Sequence, residues 1–175
     1  MTTRVLIAED ETIIRMDLRQ MLEAAGFEVC GEARDGTEAI ASARELEPDV
    51  VLLDIRMPEM DGIECARRIC AERPTPIIMV TAHADRGLVE RALGAGAFGY
   101  VTKPFRAVDV IPAIRAAVTR HAELLDARRA VGKQVSDSVE ISITSSAGTV
   151  WPLRINRRPD GKVEVSVVDE GDVRP

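Results

Sequence analysis

The run Val50-Val51-Leu52-Leu53 carries no polar side chain and stops abruptly at Asp54. Four apolar residues without alternation fit a strand covered on both faces, as in a parallel sheet flanked by helices. Parallel neighbours cannot be joined by hairpins, so such a strand commits the chain to β-α-β crossovers. An acid at its carboxyl end puts charge where open α/β sheets place their ligands. Two further apolar runs end in the same manner: Val5-Leu6-Ile7-Ala8 meets Glu9-Asp10, and Ile77-Ile78-Met79-Val80 meets Thr81. A fourth, Phe98-Gly99-Tyr100-Val101, ends at Thr102-Lys103-Pro104. Side by side, these ends would gather three acids, a hydroxyl and a lysine on one sheet edge.

The segments between the strands have helical spacing. Residues 11–25 carry Ile14, Leu18, Met21, Leu22 and Ala25, with Gly26 as the C-cap. Residues 27–33 form a short strand, and a second helix opens at Asp35-Gly36, runs through Ala39, Ile40, Ala43 and Leu46, and stops at Pro48. Helices are expected over 62–71 and 86–93, the latter ended by Gly94-Ala95-Gly96-Ala97, and a fifth from about residue 106. Five βα units predict an α/β fold, a doubly wound parallel sheet in the order 2-1-3-4-5. The fifth helix keeps an apolar stripe through Ile111, Ile114, Ala117, Val118, His121, Leu124, Leu125, Arg128 and Val131. That is longer than one sheet needs, and suits a signalling or dimerising helix. Pro112 is expected in its early turns, where a missing N–H is tolerated.

Beyond Gly132 the period changes from helical to two. Val139 to Thr144, Trp151 to Ile155 and Val163 to Val167 alternate, separated by Ser145-Ser146-Ala147-Gly148 and Arg158-Pro159-Asp160-Gly161. The expected organisation is a first domain over 1–131, a linker over 132–138, a three-stranded antiparallel tail over 139–170 and a C-terminal end over 171–175. One face of the tail would carry Val139, Ile141, Ile143, Trp151, Leu153, Ile155, Val163, Val165 and Val167. A sheet this small needs a cover.

With 175 residues there is room for one ordinary domain and an appendage. The net charge of −6 and the lack of a basic stripe speak against a nucleic-acid surface. Cys30, Cys65 and Cys70 are odd in number and lack CxxC spacing, which fits reduced structural thiols. No signal-peptide core and no apolar run near ~20 residues is present, so a soluble cytoplasmic protein with no membrane partner is expected.

Crowded carboxylates repel unless a cation neutralises them. Mg²⁺, or Mn²⁺ in its place, suits an oxygen donor set of one or two carboxylates with waters and a phosphate. Asp10 and Asp54 would ligate directly, Glu9 directly or through water, and the backbone carbonyl of Arg56 would add a further oxygen. Asp54 could then act as a nucleophile toward phosphorus, since carboxylates form acyl phosphates. The Thr81 hydroxyl and the Lys103 ammonium would contact the phosphoryl oxygens. Added charge could draw Thr81 inward and let Tyr100, expected as a partly exposed strand residue, turn in behind it. Asp61-Gly62 reads as turn chemistry and not as a ligand, and His83 as a surface-loop residue.

Glu9-Asp10, Asp54, Met57-Pro58, Met60-Asp61-Gly62, Thr81-Ala82, Tyr100 and Lys103-Pro104-Phe105 occur in an order and at spacings that resemble the receiver domain of bacterial two-component response regulators. The likeness covers about residues 3–130. It implies a flavodoxin-like fold and a phosphoacceptor regulator that is not an enzyme. Asp54 would take its phosphoryl group from a sensor histidine kinase or phosphotransfer protein, with Mg²⁺ on Glu9, Asp10 and Asp54. Tyr100 would couple the site to the face of the fourth helix, fifth strand and fifth helix, where a homodimer or partner would bind. Residues 104–114 are similar to receivers attached to ANTAR-type RNA-binding antiterminators. In those a helical RNA-binding module follows, whereas residues 133–175 are strand-like, with six basic and seven acidic residues. An RNA-binding antiterminator with a divergent tail is the second reading. A phosphatase of the haloacid-dehalogenase kind is a third, but it wants Asp-x-Asp after the first strand, where this chain has Glu9-Asp10.

Overall fold

The structure, a computed structural model, describes residues 2–82, 86–130, 138–144, 150–157 and 163–167. Strands and helices alternate through the first 130 residues: β1 (Arg4–Ala8), α1 (Thr12–Ala24), β2 (Glu28–Ala33), α2 (Gly36–Leu46), β3 (Val50–Asp54), α3 (Gly62–Glu72), β4 (Ile77–Thr81), α4 (Arg86–Gly94), β5 (Ala97–Thr102) and α5 (Ala107–Ala130). The five strands form one parallel sheet in the order β2-β1-β3-β4-β5, as expected. β3 and β4 are buried throughout, which is why their sequences are apolar without alternation.

Alternate residues of each strand feed two separate cores. Leu6, Ala8, Val51, Leu53, Met79 and Tyr100 pack with α2, α3 and α4 on one side. Val5, Ile7, Val50, Leu52, Ile78, Val80 and Val101 pack with Leu18 and Leu22 of α1 and with Val110, Ile114 and Ala117 of α5 on the other. With about 1.5–3 kcal/mol per fully buried aliphatic side chain, these two layers dominate stabilisation. Local chemistry sets the helix ends. Asp35 caps α2 by accepting from the Glu38 amide at 2.8 Å, and the Glu38 carboxylate reaches back to the Arg34 amide at 2.9 Å. Gly26 follows α1 at φ +86°, a conformation open to glycine.

Pro112 falls in the early turns of α5 as expected, but as its sixth residue it is past the first turn, so its missing N–H removes a bond the helix would otherwise make to the Val108 carbonyl. Val108 is exposed, and water can satisfy that carbonyl. The helix start is set instead by Asp109, whose Oδ2 accepts from the Arg106 amide at 3.0 Å. Tyr100 is not partly exposed: at 6 % it belongs to the core shared with α3 and α4, because helices cover both faces of the sheet and leave neither side of β5 to solvent at this position.

After α5, β6 (Ser138–Thr144), β7 (Val150–Arg157) and β8 (Val163–Val167) form a separate antiparallel sheet in the order β6-β7-β8. Ile141 pairs with Leu153 and Ile155 with Val165, the register the period-two pattern implies. The expected turns at 145–148 and 158–161 and residues 132–137 of the linker expected over 132–138 lie outside the described residues, as does His83; Ser138 already belongs to β6. The side chain of Trp151 and the apolar face assigned to the tail are not described either.

Candidate phosphoacceptor and metal site

Every functional side chain expected at the sheet edge comes from the carboxyl end of a strand. Glu9 and Asp10 follow β1, Asp54 ends β3, Thr81 ends β4 and Lys103 follows β5. The order β1-β3-β4-β5 makes these ends neighbours although 94 residues separate Glu9 from Lys103 (103 − 9). The Lys103 amide donates to the Thr81 carbonyl at 2.8 Å, which extends the β4-β5 ladder by one rung and aims the lysine over the edge.

Lys103 is the centre of the charge arrangement. Its Nζ donates to Asp54 Oδ2 at 2.9 Å, lies 2.8 Å from Glu9 Oε2 and is 3.9 Å from Glu11 Oε1. Burial works against its charge, but hydrogen bonds and attraction from Glu9 and Asp54 outweigh that and hold its pKa above the ordinary lysine value. Glu9 has no solvent exposure. Burial first, and the Asp54 charge after it, push the Glu9 carboxyl up to about 7, against the opposing effect of Lys103. Asp54 is also buried, and its Oδ1 accepts from the Arg56 amide at 3.3 Å.

Carboxylate oxygens of Glu9, Asp10 and Asp54 lie within 4.8 Å of one another. Glu9 Oε2 is fully buried and faces the Lys103 ammonium at 2.8 Å as an ion pair. Three carboxylates against one ammonium leave excess negative charge in an all-oxygen donor set, which fits a hard divalent cation. The residues present therefore suit Mg²⁺. Thr81 is buried at the adjoining strand end. The loop after Asp54 is held close by Gly62, whose amide donates to the Ile55 carbonyl at 2.9 Å. A Cβ on Gly62 would sit 2.0 Å from the Asp54 carbonyl oxygen, so the first turn of α3 reaches the loop only without a side chain there. Asp61 caps α3 by accepting from the Ile63 amide at 2.7 Å, which accounts for it as a turn residue.

Sequence reasoning missed Arg15. It is 8 % exposed, and its Nη1 donates to the Glu9 carbonyl at 2.6 Å and contacts the Asp10 carbonyl at 3.3 Å. The available signal was its place on α1: Arg15, Leu18 and Leu22 share the buried stripe, where an arginine needs partners. The three cysteines are free, as expected, and each donates to a backbone carbonyl. Among the described residues, no helix is long and apolar enough to cross a membrane.

A doubly wound sheet with an acidic cluster and a lysine at its carboxyl edge defines a receiver module. Residues 5–115 match the response regulator receiver domain family, and the chain belongs to it. The transcriptional regulatory protein PdtaR of Mycobacterium tuberculosis is 52 % identical over 121 residues, 69 % of this chain and 59 % of that protein. The chain thus matches well under two thirds of that relative's length. The chemotaxis protein CheY of Thermotoga maritima is 41 % identical over 115 residues, 65 % of this chain and 96 % of its own. Among solved structures, a CheX-CheY-BeF3-Mg²⁺ complex from Borrelia burgdorferi has a chain similar to this one. The TM-score is 0.64 at 32 % identity, covering 65 % of this chain and 87 % of that chain.

Proposed function

We propose that Asp54 is the phosphoacceptor of this response regulator, and that phosphorylation there controls a partner or a second copy of the chain. The observation that carries this reading is the cluster of Asp54, Glu9 and Asp10 around one point, with the Lys103 ammonium 2.9 Å from Asp54 Oδ2. An Asp54 carboxylate oxygen attacks phosphorus, a new O–P bond forms, and the P–N bond to a donor histidine breaks. The freed imidazole then takes up a proton. Lys103 and the Thr81 hydroxyl would receive the phosphoryl oxygens, with Lys103 exchanging part of its contact with the carboxylate for the transferred group. Glu9, Asp10, Asp54 and the Arg56 carbonyl would hold Mg²⁺. When bound, the cation supplies charge neutralisation at the transferring group. The named ligands of the Borrelia burgdorferi complex, beryllium fluoride and Mg²⁺, support the same chemistry here.

A sensor histidine kinase or phosphotransfer protein is the proposed donor. Beside Lys103 an open apolar groove of about 670 Å³ is lined by Ile13, Ile14, Met16 and Phe105, a surface such a donor could cover. Tyr100, already inward, would couple Thr81 to the α4-β5-α5 face. We assign the chain a regulatory and non-enzymatic role in the cytoplasm, with partner control or dimerisation through that face or α5 as the output. A role in controlling transcription is the second reading, supported by likeness over 121 residues to a transcriptional regulatory protein.

Incubation with acetyl phosphate and Mg²⁺ is expected to add the mass of one phosphoryl group to the intact protein. Equal labelling of Asp54→Asn would overturn the assignment.

A further inference from the structure

We infer that Arg15 is the positioning residue of the acidic edge: it fixes the backbone of Glu9 and Asp10 from beneath, and Glu32 on β2 holds it in place. The inference rests on the reading of that edge as a metal and phosphoacceptor centre. Four acceptors converge on one buried guanidinium. Nη1 donates to the Glu9 carbonyl at 2.6 Å and approaches the Asp10 carbonyl at 3.3 Å, Nε donates to Glu32 Oε2 at 3.2 Å, and Nη2 lies 3.4 Å from Thr12 Oγ1. The other Glu32 oxygen accepts from Arg19, which also pairs with Glu23 at 2.9 Å.

This arrangement is specific in what it does to the site. Glu9 and Asp10 lie where β1 ends and α1 has not begun, and Glu11, the residue before the helix, makes no side-chain cap. The loop's amides have one local acceptor, Glu9 Oε1, which takes the Glu11 amide at 3.3 Å. Its carbonyls need a donor, which Arg15 supplies from the first full turn of α1, with its own amide bonded to the Glu11 carbonyl at 2.9 Å. The Glu9 amide is meanwhile tied to the Ala33 carbonyl at 3.0 Å, so the strand end is held on both sides. The Glu32 carboxylate offsets the guanidinium charge. The cation can thus brace the backbone without cancelling the negative charge that a divalent ion would use. A planar fork with several donors can do this, whereas a lysine ammonium at the same depth would reach fewer acceptors.

The test uses the full chain in two arms. In metal-free buffer, amide hydrogen exchange is measured for wild type and Arg15→Met. Faster exchange at residues 9–11 is expected, with the β3 amides unchanged. In the second arm Mg²⁺ affinity is measured by titration calorimetry, and the Mg²⁺ concentration giving half-maximal labelling by acetyl phosphate is compared with the maximal rate. Arg15→Met is expected to weaken Mg²⁺ binding about 10–100-fold, the usual scale for groups that orient metal ligands. The maximal rate should change far less, and Arg15→Lys should recover part of the affinity. Leu18→Ala, which truncates a buried neighbour on the same helix, serves as the stability control and should leave Mg²⁺ affinity unchanged. Unaltered exchange at residues 9–11, or equal loss of affinity in Arg15→Met and Leu18→Ala, overturns the inference. If Arg15→Met does not fold, Glu32→Gln decides: faster exchange at residues 9–11 supports the inference and wild-type exchange overturns it. If wild type itself binds no Mg²⁺, the metal reading fails, and the exchange arm alone judges Arg15.

Discussion

The Lys103 ammonium lies 2.9 Å from Asp54 Oδ2, bringing together two residues 49 positions apart at the ends of non-adjacent strands. The same ammonium is 2.8 Å from Glu9 Oε2, so a single cation offsets two buried carboxylates. Replacing it with an apolar side chain leaves those charges facing each other. Lys103→Met is expected to destabilise the metal-free protein at pH 8 by about 3–5 kcal/mol, the cost of stripping a buried charge of its partner. Mg²⁺ should recover much of the loss. Urea unfolding with and without Mg²⁺ measures both effects, and a Lys103→Met protein as stable as wild type in EDTA would refute the expectation.

Glu9 sets the pH dependence. Its carboxyl is near 7 in the folded protein against 4.5 for an ordinary glutamate, so between these values the folded state holds a proton the unfolded state has released. Stability contributed by the neutral form is full below about pH 4.5 and is lost as pH rises toward 7, after which the penalty stays constant. The loss is on the order of 3 kcal/mol. Unfolding midpoints in metal-free buffer across pH 4.5–8 should fall accordingly, and Glu9→Gln should flatten that fall. A slope of the same size in Glu9→Gln would place its origin elsewhere.

Gly62 sets how closely α3 approaches the phosphoacceptor loop. Gly62→Ala would press a methyl group onto the Asp54 backbone oxygen, 2.0 Å away, where neither partner is a flexible side chain. A loss of roughly 1–3 kcal/mol is expected from overpacking, with slower labelling by acetyl phosphate because Asp54 must shift. Gly99 has open space around its Cβ position, so Gly99→Ala is the matched control. Thermal melts and labelling rates that do not distinguish the two variants would contradict this account.

The thiols should be inert while the chain is folded. Burial pushes Cys65 up to about 12 and raises Cys30 and Cys70 as well, so little thiolate exists at pH 8. Ellman-type labelling is expected to leave Cys65 unmodified in native buffer and to modify all three in urea. Rapid native labelling of Cys65, read by peptide mass, would show that its core opens on the reaction timescale.

Much of the candidate site was legible because each of its members follows an apolar run. A polar residue placed where a buried strand stops is visible in one dimension, which is how Glu9, Asp10, Asp54, Thr81 and Lys103 were found. Tyr100 was harder: alternation along β5 decides which way it faces, and Phe98-Gly99-Tyr100-Val101 lacks a clear polar phase. The β4-β5 pairing also slips between Ile77 and Ile78, which shifts the phase a strict two-residue count would assign. Arg15 was missed because a charged residue on a helix carries no mark of which backbone carbonyls it will meet.

Hydrophobic period and strand-end chemistry, both local properties, determined the α/β class and the identity of the acidic cluster. Only the tertiary structure decided how the charges are balanced. Lys103 between Glu9 and Asp54, Arg15 beneath the Glu9 carbonyl and Gly62 against the Asp54 carbonyl all depend on distances between segments remote in sequence. Those distances follow from how the helices pack on the two faces of the sheet, and a pKa or an ion pair is set by such distances and by burial, which residue order alone does not specify.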